Sequence, residues 1–414
     1  MISTKTPRQD KKQSVKHLRT TDARAVVQLA TAATHNVTRI VEGVHQSIWS
    51  TLGAPAGKTK EQTRGVTGFV FKSIHGITQL LGTAADQALT RIESLLPTDV
   101  IEAANSPQRE AVLAALNGVM GDRLEESKNP FATQMALHYQ GEILDAHSMT
   151  KITSHSSKVV VLIHGLCMND LQWTTLYSDA LTAHGYTPIF LRYNTGLHIS
   201  QNGALLSQQL ETLVQNWPVT LSDLTLLTHS LGGLVSRSAV AQAQHQNSNW
   251  THALKRLIFL GTPHHGAPLE RAGSWVDVVL GATPYSAPFK KLGQLRSAGI
   301  TDLRYGFLTE QDWQGHDRFR RRPDRRTPTP LPIGVACYAI AASMASKRSP
   351  LSDRLIGDGL VPLKSALGQH DDKALDLNIP KSHQQILYKT NHMALLNSPE
   401  VTQILLQWMN TARE

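Results

Sequence analysis

The chain has only two cysteines, Cys167 and Cys337, among 414 residues. Two thiols cannot build a disulfide framework. Their neighbours are apolar strand-like segments and a catalytic-type loop, so the expectation is reduced thiols in a reducing compartment. No apolar run approaches the length needed to cross a bilayer. The opening stretch, MISTKTPRQDKKQSVKHLRTTDA, carries basic residues but no apolar core after them and no small-residue cleavage site, so it does not read as a secretory signal. These absences point to a cytoplasmic protein, with peripheral attachment to a membrane surface left open.

Charge is sparse as well, at 18% of residues against 41% hydrophobic, the balance of a mostly globular chain. The net charge of +9 comes partly from two clusters: Lys5, Arg8, Lys11, Lys12, Lys16 and Arg19 in the N-terminal tail, and the run from Arg318 to Arg326. Clusters in tails and proline-flanked loops are ordinarily solvated; contact with an anionic membrane is the sharper alternative, and nucleic acid is not expected. The length suits a full α/β core with a second unit appended.

Residues 1–20 read as a disordered basic tail. From Asp22, apolar positions at Val26, Leu29, Ala33, Val37, Ile40, Val44 and Ile48 follow helical spacing until the break at Gly53–Gly57. A second, glycine-interrupted helical pattern runs from Thr63 to Leu95, and a third helix is expected from Ser106 to Met120. Residues 21–128 therefore form an expected helical region, which packs as a layer or contacts a membrane surface. Within 129–155, Ala136–Tyr139, a turn at Gln140-Gly141, and Glu142–Leu144 predict a hairpin.

From residue 156 strands and helices alternate. The pattern predicts strands at Lys158–Ile163, Thr187–Tyr193, Leu224–Thr228, Arg256–Leu260, Gly334–Ile340 and Gln384–Lys389. It predicts helices at Trp173–His184, Gly203–Asn216, after Ser230, and at Pro399–Thr411. Such alternation specifies an α/β fold, a mostly parallel central sheet with helices on both faces, whose sites lie at the C-terminal strand ends. Residues 272–332 interrupt it with apolar pieces, prolines and the arginine run, as a cap or lid would; a plain surface insertion is the alternative.

The segment Leu224-Thr225-Leu226-Leu227-Thr228-His229-Ser230-Leu231-Gly232-Gly233 is an apolar strand that breaks at a serine and resumes as a helix. A serine at such an apex is either a nucleophile or an ordinary helix N-cap, and the two glycines after it favour the nucleophile. The base should follow the last strand, where His392 stands; His383 precedes that strand, at the wrong end of the sheet. The acid should follow the strand before it. Asp358 lies there in a Gly-Asp-Gly turn, with Asp353 as rival and an ordinary turn aspartate as the simpler reading. Oxyanion donors are backbone amides: Leu231, after the serine, and Leu166, after Gly165 in the loop from Ile163, with the amide of Cys167 as its substitute. His264 and His265 either line a pocket or anchor their loop; no metal and no cofactor is expected.

Taken in order, His164-Gly165-Leu166, Thr228-His229-Ser230-Leu231-Gly232-Gly233, Gly261-Thr262-Pro263-His264-His265-Gly266, Gly357-Asp358-Gly359-Leu360-Val361-Pro362 and Asn391-His392 resemble the α/β-hydrolase superfamily. Within it the third and fourth elements resemble bacterial triacylglycerol lipases and GPI inositol deacylase-like catalytic domains. The resemblance covers residues 156–414. It implies an α/β-hydrolase fold, a triad of Ser230, Asp358 and His392, oxyanion donors Leu166 and Leu231, and hydrolysis of carboxylic, lipid-like esters. Thioester or amide hydrolysis and acyl transfer would use the same groups, and an inactive hydrolase-like scaffold is the rival of another class. Two departures stand out. Thr228 occupies the usual first elbow glycine, and Met393, Ala394 and Leu395 replace the acidic residue that calcium-dependent lipases carry after the histidine.

Overall fold

Val159–Ile163 is an unbroken apolar run and Leu224–Leu227 is interrupted only by the buried Thr225, the composition of strands buried on both faces, and they pair in parallel at the centre of one sheet. The computed structural model describes residues 107–150, 152, 156–267, 296–318, 323–346 and 357–410. The expected tail, the first two expected helices, Asp353 and much of the expected cap (residues 272–295 and 319–322) lie outside them. The chain divides into two compact units, residues 1–112 with 129–131, and residues 113–128 with 132–414. The sheet and every candidate site residue described belong to the second unit.

Among the described residues eight strands form one sheet in the order β2-β1-β4-β3-β5-β6-β7-β8: β1 Ala136–Tyr139, β2 Glu142–Ile143, β3 Lys158–Ile163, β4 Thr187–Arg192, β5 Asp223–His229, β6 Leu254–Leu260, β7 Ala336–Ser343 and β8 Gln384–Tyr388. From β4 to β8 every pairing is parallel. The hairpin β1–β2 joins this sheet, its first strand antiparallel to β4. The longer helices are α1 Pro107–Glu126, kinked at Met120, α2 Thr175–Ala183, α3 Ile199–Asn216, α4 Leu231–Gln246 and α5 Pro399–Asn410.

Side chains alternate across the sheet. Val160, Leu162, Leu227, Ile258 and Ile340 face a core closed by Trp173, Tyr177 and Leu181 at α2 and by Val401, Leu405 and Met409 on α5. The other face carries Val159, Val161 and Ile163, with α3 and α4 packed together and α4 against β3, β5 and β6. Each fully buried Leu, Ile or Val contributes about 1.5–3 kcal/mol, so the central strands hold both layers. All parallel strands end at one edge, and β3, β5, β7 and β8 deliver the candidate residues there. Among the described residues no helix is long and apolar enough to cross a membrane.

Candidate active site

Ser230 joins β5 to α4 at φ 54 and ψ −121, a backbone region that L-residues occupy only when the surroundings impose it, at a cost of about 1–3 kcal/mol. The turn is held from both sides. Ser230 N donates to Leu260 O at 2.9 Å, and Gly233 N donates to Ser230 O at 3.0 Å. The hydroxyl makes no capping bond to the helix it precedes. An N-cap serine would use its oxygen on the first-turn amides; this one is spared.

The space that a sharp turn demands is supplied around Thr228 rather than at it. Its side chain is fully buried, and its hydroxyl donates to Ile258 O on β6 at 3.0 Å. Room comes from Gly232, where an added Cβ would stand 2.5 Å from Ile163 O and 2.7 Å from His164 O. Helix α4 thus sits directly on the end of β3.

His392 follows β8. Its Nδ1 lies 2.6 Å from Asp358 Oδ2, and its main-chain N–H donates to Asp358 O at 3.2 Å. Asp358 is fixed by its own turn, Oδ1 accepting from Leu360 N at 2.9 Å and Val361 N at 2.7 Å. A carboxylate with both oxygens accepting assigns the Nδ1 proton to His392 and leaves a lone pair on Nε2. That Nε2 is buried and makes no hydrogen bond, to Ser230 or to any other group. Ser230, Asp358 and His392 are each 2% exposed. Gly261 at φ 58 lets the chain pass beneath the imidazole, since a Cβ there would stand 3.0 Å from His392 Cε1 and Nδ1. His383 lies at the opposite end of β8, bonded to Cys337 O at 3.1 Å and stacked on Tyr338.

The loop after β3 runs beside the serine: a Cβ on Gly165 would stand 3.0 Å from Ser230 Cβ. Leu231, as the first residue of α4, has an N–H without an acceptor inside the helix. In the facing loop the Cys167 N–H is committed to Thr195 Oγ1 at 3.1 Å, so Leu166 is the free amide of that pair of neighbours. Asp170, bridged by Arg192 from β4, and His164, stacked on Tyr193 with its Nδ1 3.0 Å from Gly165 O, fix the loop. Burial pushes the His164 imidazole down to about 4, so it stays neutral.

Sequence reasoning missed Thr195, the part played by His229, and two buried arginines. Thr195 carries no local signal. His229, directly before Ser230, bonds the His392 carbonyl through its Nε2. His264 and His265, expected to line a pocket or anchor their loop, meet two buried arginines, Arg237 and Arg326. Among the described residues no group of three or more His, Cys, Asp or Glu is arranged to hold a metal ion. A cleft of about 800 Å³ is lined by residues such as Ser200, Gln242 and Gln311 and includes none of Ser230, Asp358 or His392.

A mostly parallel eight-stranded sheet, with helices on both faces and a strained serine between its central strand and a helix, decides the fold. It is the α/β-hydrolase fold. The model of a domain of unknown function, DUF7379, matches residues 132–302. No curated protein matches the sequence. Among solved structures the chain is similar to mature Bacillus licheniformis lipase BlEst2, at 20% identity over 62% of this chain and 93% of that one, TM-score 0.41. It is similar also to Aspergillus fumigatus lipase B, at 11% over 94% and 84%, TM-score 0.41. A third is the Pyrococcus furiosus esterase Pf2001, at 12% over 62% and 81%, TM-score 0.38.

Proposed function

We propose that the protein is a serine hydrolase that cleaves carboxylic esters of small, lipid-like molecules through an acyl-enzyme. The observation that carries this reading is the buried Asp358–His392 pair, 2.6 Å apart, at the same sheet edge as a strained serine whose hydroxyl caps nothing.

Ser230 Oγ attacks the acyl carbon while His392 Nε2 takes its proton; the Ser230 Oγ to Nε2 bond forms as substrate closes the site, as apo enzymes commonly require. The C=O oxygen becomes the oxyanion and is held by the Leu166 and Leu231 amides, each worth about 10²–10³ in rate. Collapse of the tetrahedral species breaks the ester C–O bond, and the alcohol leaves with the proton from His392. Water then attacks the acyl-enzyme with His392 again as base, releasing the acid and restoring Ser230. Asp358 holds the imidazole in the Nδ1–H form and stabilises its cation. The lipid-like acyl group rests on the resemblance of the Gly261–Gly266 and Gly357–Pro362 segments to lipases.

Labelling with a fluorophosphonate tests the reading. Wild type should label and Ser230→Ala should not; equal labelling of both, or none of wild type, overturns it. A series of nitrophenyl esters from short to long then tests the acyl class, a short-chain optimum counting against a lipid.

A further inference from the structure

The mechanism gives no part to α1, which precedes the sheet, yet from Leu113 onward this helix is as buried as the core, with Ala115, Leu116, Asn117, Val119 and Leu124 all inaccessible to solvent. It lies on the loop that carries the Leu166 amide. A Cβ on Gly118 would stand 2.2 Å from Cys167 Sγ, 2.8 Å from its Cα and 2.9 Å from its N, so only glycine lets the helix touch the main chain of that loop. A second contact runs through the stretch after β4. Asn194 Nδ2 donates to Gly121 O at 2.9 Å, and the next residue, Thr195, accepts the Cys167 N–H on its Oγ1 at 3.1 Å. The helix thus reaches Cys167 directly and by way of Asn194 and Thr195.

Cys167 is where the loop needs holding. Its φ is 58, a left-handed value that a residue with a side chain keeps only when its surroundings impose it. Thr195 on the amide and Gly118 against the sulfur and Cα are those surroundings. Leu166 is the preceding residue, so a Cys167 that relaxes to negative φ turns the peptide between them and shifts the Leu166 amide. The helix is itself anchored by the segment 296–318. Ser297 Oγ donates to Gly118 O at 2.6 Å, and Asp122 Oδ2 accepts from Ala298 N at 3.1 Å and from Arg318 Nη1 at 2.6 Å. These bonds oppose a retreat of α1 from Cys167.

We propose that α1 is the clamp of the oxyanion loop, with Gly118 as a positioning residue that holds Cys167, and through it the Leu166 amide, in the donating conformation. The role of Leu166 rests on the acyl-transfer reading; the contact between helix and loop does not.

The test is Gly118→Ala in the full chain, read by kinetics and by hydrogen exchange. For a nitrophenyl ester kcat should fall by about 10²-fold with KM nearly unchanged, and the inhibition constant of an alkyl trifluoromethyl ketone should rise in proportion. That inhibitor reports on the amides, because Ser230 Oγ adds to the ketone carbon, His392 takes the hydroxyl proton and the carbonyl oxygen becomes an oxyanion. Peptides spanning residues 164–168 should exchange faster than in wild type while those of β5 and β6 do not change. Cys167→Gly in the Gly118→Ala background removes the sulfur and adopts the left-handed φ freely, and it should restore part of kcat. Wild-type kcat with wild-type exchange in Gly118→Ala overturns the proposal, and so does faster exchange spread through β5 and β6, the mark of a merely structural role. If wild type neither hydrolyses esters nor labels with a fluorophosphonate, the hydrolase reading falls and the role given to Leu166 falls with it, even where exchange still shows the loop held by Gly118. Should Gly118→Ala fail to fold, Cys167→Ala, which takes only the sulfur from the contact, must shift kcat and exchange in the same directions for the proposal to stand.

Discussion

His229 donates from its ring Nε2 to the main-chain carbonyl of His392 at 3.2 Å, and the two rings lie 4.7 Å apart. The residue before the serine is thereby tied to the residue proposed as its base, across the ends of β5 and β8. His229 is fully buried, and burial with the adjacent His392 holds it well below its usual value, so it is a neutral donor. His229→Phe keeps the ring and removes the bond, leaving the carbonyl unpaired. The expected result is a loss of about 1–3 kcal/mol of stability and a fall in kcat of roughly tenfold, equivalent to about 1.4 kcal/mol, with KM nearly unchanged. Melting curves and ester-hydrolysis kinetics check both.

Asp358→Asn should be far more damaging than its size suggests. Asp358 Oδ1 accepts two backbone amides, from Leu360 and Val361, so an asparagine would place its oxygen there and turn its NH₂ toward His392 Nδ1. The imidazole is then forced to carry its proton on Nε2, where it cannot accept one from Ser230. kcat for a nitrophenyl ester should fall by about 10³–10⁴ with near-native melting. A loss below tenfold would remove Asp358 from the proposed triad.

Thr228→Val preserves shape and deletes the hydroxyl that bonds Ile258 O at 3.0 Å. The variant should lose about 1 kcal/mol, read as a lowered denaturant midpoint, while Thr228→Ala adds a small void. If Thr228→Val is as stable as wild type, the hydroxyl does not offset the crowding at the turn.

The central strands were legible because parallel strands buried on both faces are continuous apolar runs; β3 is observed at Lys158–Ile163 as expected, and β5 begins one residue earlier than its apolar run. Boundaries failed where the partner is distant. Helix α3 begins at Ile199 rather than Gly203 because Asp302 accepts the Ile199 amide at 2.9 Å, and nothing near residue 199 announces that carboxylate. Strand β7 runs on to Ser343 through Ala341 and Ala342, which lack the branched side chains that mark strands. Helix α1 continues to Glu126 through its kink. At the site, Ser230, Asp358 and His392 each carry a local turn signal. Thr195, Arg237 and Arg326 do not, since their roles arise only when β4, α4 and the 323–330 segment meet the loops.

The buried histidines set an acid limit on stability. Burial depresses His164 from 6.5 to about 4, and burial with the neighbouring arginines depresses His265 to about 4. Between those values and 6.5 the unfolded chain binds protons that the folded chain does not, so stability rises with pH across that window and is lost as pH falls through it. The His164 contribution is on the order of 3 kcal/mol when the window has been crossed. His164→Phe keeps the stacking surface on Tyr193 but cannot titrate. Its unfolding free energy, measured by denaturant titration from about pH 7 to about pH 4, should therefore vary less steeply than that of wild type by about one proton. An unchanged slope would mean that His164 takes up its proton in the folded protein, and that the loop after β3 opens in acid before the rest of the fold.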